Sequence, residues 1–207
     1  MYARTTTVRG DPRAVDDGIA TVRDETWPML QQMDGCTGMS MLADRSAGRC
    51  IITTAWADEP AMRASADRVR DARNRTAEAL RAQTVDIQEW EIARLHRARP
   101  TGDGTWARVT WTRGDQARIE RSLDVFGLSI LPRLDDLPGF CSVSQLVGRQ
   151  AGRSVLAACY ESQDAMDRGS QQVAAMRQEL LDDTGVELME VAEFELVLAH
   201  LHVPETV

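Results

Sequence analysis

The sequence predicts an α+β protein built from two copies of one β-α-β-β-α-β unit. The first observation is a shared pattern, R-x-A-G-R, in "DRSAGRC" at 44–50 and "GRQAGRS" at 148–154. The second is that a shift of 104 positions, the spacing between these segments, aligns the halves end to end without a gap. The third is "RARPTGDG" at 97–104, whose Pro and Gly are typical of a linker. We therefore predict a tandem duplication, with repeats at 1–96 and 105–207 joined by this linker.

Composition limits the classes of function. The chain has 207 residues, of which 43% are hydrophobic and 27% charged, and a formal net charge of −8, which disfavours nucleic-acid binding. No apolar run reaches the ~18 residues of a membrane span, and the N-terminus lacks a signal-peptide core, so we expect a cytoplasmic protein. All 24 basic residues are Arg, which excludes Schiff-base, pyridoxal-phosphate and P-loop chemistry because each requires Lys. The cysteines lack metal-ligand spacing and predict buried free thiols: Cys36, Cys50, Cys141 and Cys159.

Each repeat opens with a strand and a helix. Residues 2–9 and 105–113 are rich in Thr, Val and aromatic residues, which favours strands. Asp11 before Pro12 is typical of a helix N-cap followed by proline at the first helical position. In the second repeat, apolar residues three and four positions apart predict one helix face: Ile119, Leu123, Phe126, Ile130, Leu134 and Leu137. Pro28 and Pro132 lie inside these helices and are expected to kink or end them.

The rest of each repeat predicts a hairpin, a second helix and a final strand. Gly48 and Gly152, in the shared pattern, provide the positive φ that a tight hairpin needs. The nearly continuous apolar runs "CIITTAW" and "SVLAACY" predict central strands. A second helix, capped by Asp58 or Ser162, turns apolar residues inward, and strands follow at 84–96 and 186–202. This order is the ferredoxin-like unit.

A four-stranded sheet covered by helices on one face must bury its other face. A duplicated chain carries its own partner, so we expect the two sheets to pack together as an eight-stranded barrel within one chain. This predicts a self-contained pseudo-dimer, whose further homo-oligomerisation the sequence leaves open.

The segments that follow the first helices resemble a known family. They are "DGCTGMSMLADRSAGRCIITTAWADEPAM" at 34–62 and "PGFCSVSQLVGRQAGRSVLAACYESQDAM" at 138–166. Their glycine-containing strand start, G-R turn and apolar strand ending in an aromatic residue are similar to the antibiotic biosynthesis monooxygenase-like domains of the dimeric α/β-barrel superfamily. The resemblance implies cofactor-independent oxidation of aromatic substrates, or haem degradation in some relatives. The haem-degrading function is not favoured, because neither second helix contains the His that would bind iron.

The same resemblance indicates candidate catalytic aromatics. The aromatic residue that ends the third strand of family members matches Trp56 and Tyr160. The alternative is that both rings are core residues. Further ring-bearing positions differ between the repeats: Trp27 aligns with Leu131, and Trp90 with Phe194. We take Trp27, Trp90 and Phe194 as candidate substrate-binding residues and expect the more open cavity in the first repeat.

Charged residues supply a second group of candidates. Glu89 and Glu91, like Glu193 and Glu195, lie two apart on a strand and therefore share a face. They could perform acid–base chemistry or hold a cation, but cross-strand pairing with Arg4 and Arg108 explains them more simply. Arg4 and Arg108 remain candidate substrate-binding residues. The second helix of the first repeat carries many arginines, Arg73 among them, typical of a solvated face, with anion binding as the alternative.

Histidines complete the candidate set. His96 and His200 are equivalent residues near the ends of the last strands, and either could serve as a general base. A metal site would need His200, His202 and an acid from elsewhere, whereas exposed strand ends explain them without a metal. We therefore predict no metal and no cofactor. The leading hypothesis is binding, with cofactor-independent oxidation, of a small apolar or aromatic metabolite; the alternative is a non-catalytic ligand-sensing or interaction module.

Overall fold

The computed structural model describes residues 1–102 and 104–201, and its two repeats have the same order of elements. The first repeat contains β1 (Tyr2–Arg9), α1 (Val15–Thr21), α2 (Trp27–Leu30), β2 (Cys36–Asp44), β3 (Arg49–Trp56), α3 (Glu59–Ala64), α4 (Ala66–Ala79) and β4 (Thr84–Arg97). The second contains β5 (Trp106–Arg113), α5 (Gln116–Val125), β6 (Phe140–Gly148), β7 (Arg153–Tyr160), α6 (Gln163–Arg168), α7 (Ser170–Thr184) and β8 (Glu187–Leu201). The predicted order of elements is confirmed in both repeats.

The strands hydrogen-bond in the order β1-β3-β2-β8-β5-β7-β6-β4, which closes as a barrel. The apolar strands β3 and β7 are central, as predicted, because each lies between two strands of its own repeat. The final strands are longer than the others, and their second halves pair with the other repeat. β8 pairs with β2 from Ala43↔Glu195 to Gly38↔Leu201, and β4 pairs with β6 from Glu91↔Val147 to Arg97↔Ser142. The α+β barrel fold is confirmed.

This pairing divides the chain into two compact units that do not follow the repeat boundary. Unit 1 contains Met1–Trp90 and the end of β8 from Glu195; unit 2 contains Glu91–Phe194. In unit 1 the core includes Val22, Leu30 and Met62, with Trp56 fully buried among them. In unit 2 the corresponding core is richer in large side chains, including Phe126, Phe140 and Tyr160. The two units therefore fill equivalent spaces with different residues.

The R-x-A-G-R pattern forms the hairpin turn of each repeat. Gly48 has a φ of +61° and Gly152 a φ of +60°, which confirms the predicted left-handed turn position. The carbonyl of each glycine accepts a hydrogen bond at 2.9 Å from the backbone N–H of the glycine that ends the first strand, Gly10 or Gly114. The turn is thus tied to the strand that precedes the first helix in both repeats.

The first helical segments begin at the predicted caps and contain a π turn. The Asp11 carboxylate accepts a hydrogen bond from the Arg13 backbone N–H, and Asp115 does the same for Arg118. The chain then stays helical through Pro28, with a π turn at Val22–Thr26 directly before the Trp27–Leu30 turn. The second repeat has a π turn at Phe126–Ile130 before Pro132. A wider turn accommodates the missing N–H and the ring of proline, and each segment ends soon after the proline.

The second helices also begin where the sequence predicts. Asp58 accepts a hydrogen bond from the Ala61 backbone N–H, and Ser162 accepts one from Ala165. The predicted single helix is in fact two, because a break at Ser65 separates α3 from α4, and Gly169 separates α6 from α7. Met62 and Val69 are buried on the inward face, as expected.

Two expectations from composition are also addressed by the structure. The four cysteines are free, but Cys36 and Cys159 are partly exposed rather than buried. Burial raises the pKa of Cys50 to about 11. Across residues 1–102 and 104–201, the helices lack the length and apolar character required to cross a bilayer.

Candidate functional site

Unit 1 contains a cavity of about 30 Å³ between the sheet and the helices. Strands β1 and β3 form one side, the π turn and α4 the other. The surface that faces the cavity is almost entirely apolar, although threonines and arginines are among the residues that line it: Arg4, Thr6, Val8, Val22, Thr26, Ile52, Thr54, Val69, Arg73 and Thr76. Alternation along a strand explains the sheet side, since residues 4, 6 and 8 of β1 share a face with 52 and 54 of β3. Of the predicted site residues, Arg4 is the one that lines this cavity.

Arg4 is a buried anchor at the cavity wall. Its Nε and Nη2 donate to Oε1 of Glu89 at 3.0 and 2.8 Å, Nη1 donates to the Ser65 hydroxyl at 3.0 Å, and Nη2 donates to the Met62 carbonyl at 2.8 Å. The guanidinium therefore joins β1 to β4 and to the break between α3 and α4. Arg108 makes the equivalent pair with Glu193 in unit 2, at 3.0 and 2.7 Å.

Arg73 brings a second positive charge to the same cavity. It lies on α4 between Val69 and Thr76, at the three- and four-residue spacing that places all three on one helix face. Within the described part of the chain, no carboxylate lies at ion-pair distance from its part-buried guanidinium. Burial lowers the pKa of Arg73, and the positive charges of Arg4 and Arg70 lower it further. Arg73 is therefore a charge at the wall that no described carboxylate pairs, whereas Arg4 is paired with Glu89.

Four threonines line the cavity: Thr6, Thr26, Thr54 and Thr76. The Thr54 hydroxyl accepts a hydrogen bond from the Trp56 indole Nε1 at 3.1 Å and donates to the Arg4 carbonyl at 3.3 Å. The Thr76 hydroxyl donates to the Ala72 carbonyl at 3.0 Å, and the Thr26 hydroxyl lies 3.5 Å from that of Thr76. Thr26 thus makes the longest hydrogen bond of Thr26, Thr54 and Thr76.

The second repeat fills the equivalent space with apolar side chains. At a shift of 104 positions, Val22 becomes Phe126, Thr26 becomes Ile130, Thr54 becomes Ala158 and Thr76 becomes Leu180. The four replacements belong to one buried cluster. Arg4 and Arg73, in contrast, have arginine counterparts in Arg108 and Arg177. The repeats therefore share the two arginines but differ at these four positions, whereas Thr6 is matched by Thr110 and Val8 by Thr112.

Trp56 and Tyr160, the candidate catalytic aromatics, are both fully buried. Trp56 does not line the cavity but touches its wall through Thr54. The Tyr160 hydroxyl has no hydrogen-bond partner among the described residues, because Ala158 stands where Thr54 stands in the first repeat. Burial raises the pKa of Tyr160 to about 12, although the nearby Arg108 opposes the change. The phenol is therefore neutral at physiological pH.

Trp90 lies on the other face of the sheet from the cavity of unit 1, and Phe194 is its counterpart in unit 2. The Trp90 indole Nε1 donates to the hydroxyl of Thr5 at 2.9 Å. Thr5 directly follows Arg4 in the sequence, and Trp90 directly follows Glu89. Successive strand residues face opposite sides, so Trp90 points away from the helices. Phe194 meets Trp111 edge to face at 6.4 Å in the equivalent position. The structure thus separates these two rings from Arg4 and Arg108.

The histidines occupy different surroundings. The His200 ring stacks on Trp27 at 4.7 Å with an interplanar angle of 7°, which joins two predicted site residues in unit 1. The His96 Nε2 lies 2.8 Å from the Asp135 carboxylate, and its ring lies 6.3 Å from that of Phe140. His202 lies outside the described residues. Within those residues, no three His, Cys, Asp or Glu side chains are grouped to hold a metal ion.

The strand glutamates form ion pairs, which confirms the structural interpretation of their spacing. Glu89 and Glu193 bind Arg4 and Arg108, as expected for first and last strands that are neighbours. Their second members bind the first arginine of the R-x-A-G-R pattern: Glu195 binds Arg45 at 2.7 Å and Glu91 binds Arg149 at 2.9 Å. Asp16 also binds Arg45, and Glu120 also binds Arg149. The shared pattern is therefore both a turn and an anchor for the long final strands.

Sequence reasoning missed the threonines of the cavity. A comparison of aligned residues in the two repeats could have identified them. Thr26, Thr54 and Thr76 each align with an apolar residue in the second repeat, whereas Arg73 aligns with another arginine. The charge pattern of its helix predicts a solvated face for Arg73, and the structure instead places it at the cavity wall.

Solved structures with this fold support the architecture. An anthrone oxidase-like protein is 12% identical, with a TM-score of 0.70 over 99% of this chain and 94% of that chain. A ferredoxin-fold protein from Listeria monocytogenes 4b F2365, related to antibiotic biosynthesis monooxygenases, is 9% identical, with a TM-score of 0.52 over 99% and 95%. The haem-degrading enzyme LmHde from Listeria monocytogenes is 7% identical, with a TM-score of 0.54 over 93% and 98%. The chain thus has the fold of the antibiotic biosynthesis monooxygenase-like proteins of the dimeric α/β-barrel superfamily.

Full-length sequence relatives come from Mycobacterium tuberculosis. No protein-family model matches the chain. The uncharacterized protein Rv2558 of strain H37Rv is 45% identical over 208 residues, which cover 100% of this chain and 88% of that protein. The uncharacterized protein Rv2557 of the same strain is 44% identical over 207 residues, covering 100% and 92%. The chain belongs to the family of Rv2558 and Rv2557, a family whose shared sequence spans both repeats of the barrel.

Proposed function

We propose that this protein binds a small, mainly apolar or aromatic metabolite in the cavity of unit 1. The observation that carries the proposal is the contrast between the repeats: hydroxyl groups surround a cavity in one, and apolar side chains occupy the same space in the other. Interiors are close-packed, and buried polar groups cost free energy unless they are hydrogen-bonded. Unfilled space in a close-packed interior forgoes packing contacts, and this is a cost to stability that a ligand would offset.

The form of the cavity supports a ligand with an apolar body and few polar groups. Val8, Val22, Ile52 and Val69 line the cavity, and the surface that faces it is almost entirely apolar. Small-molecule sites typically combine such walls with a few orienting polar groups. A volume of about 30 Å³ admits a polar group rather than a ring. A ring must therefore move side chains of the wall when it enters.

Oxidation of the ligand is a second candidate function. The observation that favours it is the positive charge of Arg4 and Arg73, which would stabilise a phenolate or enolate formed from a bound phenol or anthrone. Such an anion can donate electrons directly to dioxygen, so no cofactor is required. The proteins that share this fold include an anthrone oxidase-like protein. The rival function is ligand sensing without chemistry.

Binding and oxidation can be tested separately. Tryptophan fluorescence would follow the binding of neutral anthrone and quinol ligands, and an oxygen electrode would measure oxygen uptake with and without a metal chelator. We expect the unmodified chain to bind these ligands. The variant Thr26→Ile/Thr76→Leu should abolish binding, because it introduces the side chains that the second repeat has at these positions. Oxygen uptake that survives chelation and is lost in the same variant supports the oxidase. Binding without uptake supports the sensor, and no binding by any ligand contradicts the proposed function.

A further inference from the structure

Cys141 and Cys159 lie on the neighbouring strands β6 and β7 of unit 2, at an irregular point of their pairing. The register is Phe140↔Tyr160 and then Ser142↔Cys159, so Cys141 is the extra residue of a β-bulge. In a bulge, two residues of one strand oppose one residue of the other. Cys141 and Ser142 therefore both oppose Cys159.

The bulge also sets the direction of the side chains on β6. Phe140 and Val143 both belong to the core cluster that strands and helices of unit 2 share. Regular alternation would place two residues at this spacing on opposite faces of the sheet. The extra residue of the bulge accounts for the difference, and Cys141 and Ser142 both lie on the face away from the helices.

The direction of β7 brings the second thiol to that same face. Ala158 and Tyr160 belong to the core cluster, so Cys159 between them points away from the helices. A hydrogen bond joins its thiol to the Ser142 side chain, and the thiol also interacts electrostatically with that of Cys141. Opposed residues of antiparallel strands have Cα atoms about 4.5–5.5 Å apart, which is within the range of disulfides. The strand pairing therefore holds two free thiols in position to react with each other.

The two thiols differ in accessibility. Cys159 is partly exposed, whereas Cys141 is buried and its thiol donates to the Gly139 carbonyl at 3.4 Å. Desolvation raises the pKa of Cys159 to about 11, although the hydrogen bond with Ser142 opposes the change, and it also raises the pKa of Cys141. Because the thiolate is the reactive form, oxidation is slow at neutral pH and becomes faster as the pH rises. Cys159 is the thiol that an oxidant reaches first.

We propose that Cys141 and Cys159 form a redox-sensitive site at which hydrogen peroxide produces a reversible disulfide. The Cys159 thiolate attacks one peroxide oxygen and becomes a sulfenic acid, and the other oxygen leaves as hydroxide and takes up a proton to form water. The Cys141 sulfur then attacks the sulfenic sulfur, so the S–S bond forms and a second water leaves. The two thiols lose two electrons to the peroxide, and a thiol reductant reverses the reaction by exchange.

The first repeat supplies internal controls. At a shift of 104 positions, the residues that match the pair are Thr37 and Ala55. The cysteines of unit 1 are separated along the sheet: Cys36 opposes Trp56 at the end of β3, and Cys50 lies near its start. At ~3.3 Å per residue they are roughly 20 Å apart, too far for a disulfide.

The test treats the full chain with hydrogen peroxide at about pH 9, where more thiolate is present than at neutral pH. Remaining thiols are alkylated after denaturation, and mass spectrometry of the chain and its tryptic peptides locates the sulfurs that reacted. Trypsin cuts after Arg149 and Arg153, so the two cysteines lie in different peptides that a disulfide would link. We expect this linked pair, with two of the four thiols alkylated until dithiothreitol restores all four.

Variants assign the role of each thiol, with circular dichroism to verify folding. Cys141→Ser should leave the sulfenic acid at Cys159 unresolved, where dimedone would label it, and Cys159→Ser should give neither the link nor the label. The control Cys36→Ser/Cys50→Ser should form the linked pair as fast as the unmodified chain. The disulfide should also raise the melting temperature by about 5 °C, because it closes a loop across two strands.

Three results would overturn the inference. A disulfide from either residue of the pair to Cys36 or Cys50, or to a second chain, would show that the bulge does not select the partner. A sulfenic or sulfinic acid that persists at Cys159 in the unmodified chain would show that Cys141 does not reach it. Four alkylated thiols after peroxide treatment would show that the pair is inert. All three are measured on the unmodified chain, so the test does not depend on the folding of a variant.

Discussion

The Trp56 indole donates a hydrogen bond to the Thr54 hydroxyl at 3.1 Å, and both side chains are buried in unit 1. The same position in unit 2 combines Tyr160 with Ala158, and the phenol hydroxyl has no partner among the described residues. The repeats thus differ at both positions of this pair, and among the described residues the buried polar atom of the aromatic residue is hydrogen-bonded in unit 1 and unpaired in unit 2.

Removing the Thr54 hydroxyl should destabilise the protein. Thr54→Val preserves the shape of the side chain but leaves the Trp56 N–H buried without an acceptor. We expect the free energy of unfolding to fall by about 1–3 kcal/mol, measured by urea denaturation. Thr53→Val, on the opposite face of the same strand and partly exposed, is the control and should change it by less than about 0.5 kcal/mol. Equal losses in the two variants would contradict the assigned hydrogen bond.

Removing the Tyr160 hydroxyl should have the opposite effect. Tyr160→Phe deletes an unpaired buried hydroxyl and is expected to raise the free energy of unfolding by up to about 1 kcal/mol at pH 7. The pKa of Tyr160 is raised from 10.0 to about 12, so folding favours the neutral phenol. That contribution is complete below pH 10 and is lost as the pH rises from 10 towards 12. Tyr160→Phe should therefore lose less stability between pH 9 and pH 11 than the unmodified chain, measured by urea denaturation at ~1-unit intervals. The same alkaline loss in both proteins would contradict this prediction.

Gly48→Ala should strain the shared hairpin turn. Gly48 has a φ of +61°, and an added Cβ would lie 2.5 Å from the Gly10 carbonyl oxygen. We expect a loss of about 1–3 kcal/mol in the free energy of unfolding, measured by thermal or urea denaturation. Gly102→Ala is a suitable control, because its Cβ would meet no atom within 4 Å. A tolerated Gly48→Ala would show that the turn can adopt another conformation.

Filling the cavity of unit 1 should stabilise the chain. Thr26→Ile/Thr76→Leu removes two mutually contacting hydroxyls together and adds apolar volume, with an expected gain of about 1–2 kcal/mol. The reverse change in unit 2, Ile130→Thr/Leu180→Thr, should cost about 2–5 kcal/mol because it opens space in a packed cluster. Calorimetric melting of both variants would test the pair. Destabilisation by the filling variant would mean that its side chains overpack the site.

The melting temperature should not depend on protein concentration. All eight strands pair within one chain, and the closed order leaves no strand to be supplied by a second molecule. A monomeric fold has no association term in its stability. Differential scanning fluorimetry over a ~100-fold dilution series, with analytical ultracentrifugation, would measure this. A melting temperature that falls on dilution would indicate that strands are exchanged between chains.

The repeat and its secondary structure could be predicted because their signals are local. Asp11 and Asp58 cap helices through residues two and three positions away, and Gly48 sets a turn through its own φ. Hydrophobic periodicity depends on neighbours within a few residues, so strands and helices were identified in both copies. The alignment of the copies then extended this local information to the architecture of the whole barrel.

The candidate site could be predicted only in part, because its contacts join distant elements. Arg4 was identified from its recurrence, but Trp90 was grouped with it although the two face opposite sides of the sheet. Facing depends on the register of β4 against β1, which no single segment encodes. The cavity itself exists because side chains on β1, β3 and α4 fail to fill one space in unit 1.

The sequence by itself determined the duplication, the order of elements, the caps and the hairpin turns, since each depends on a few adjacent residues and on a repeated register. Only the tertiary structure decided that Glu91 binds Arg149, 58 positions away, and that Arg73 faces a cavity instead of solvent. Residues that align between the two repeats have different neighbours, because the elements packed around them carry different side chains. Arg73 therefore lines a cavity in unit 1, while in unit 2 larger apolar side chains, Phe126, Ile130 and Leu180, stand at the positions that match Val22, Thr26 and Thr76.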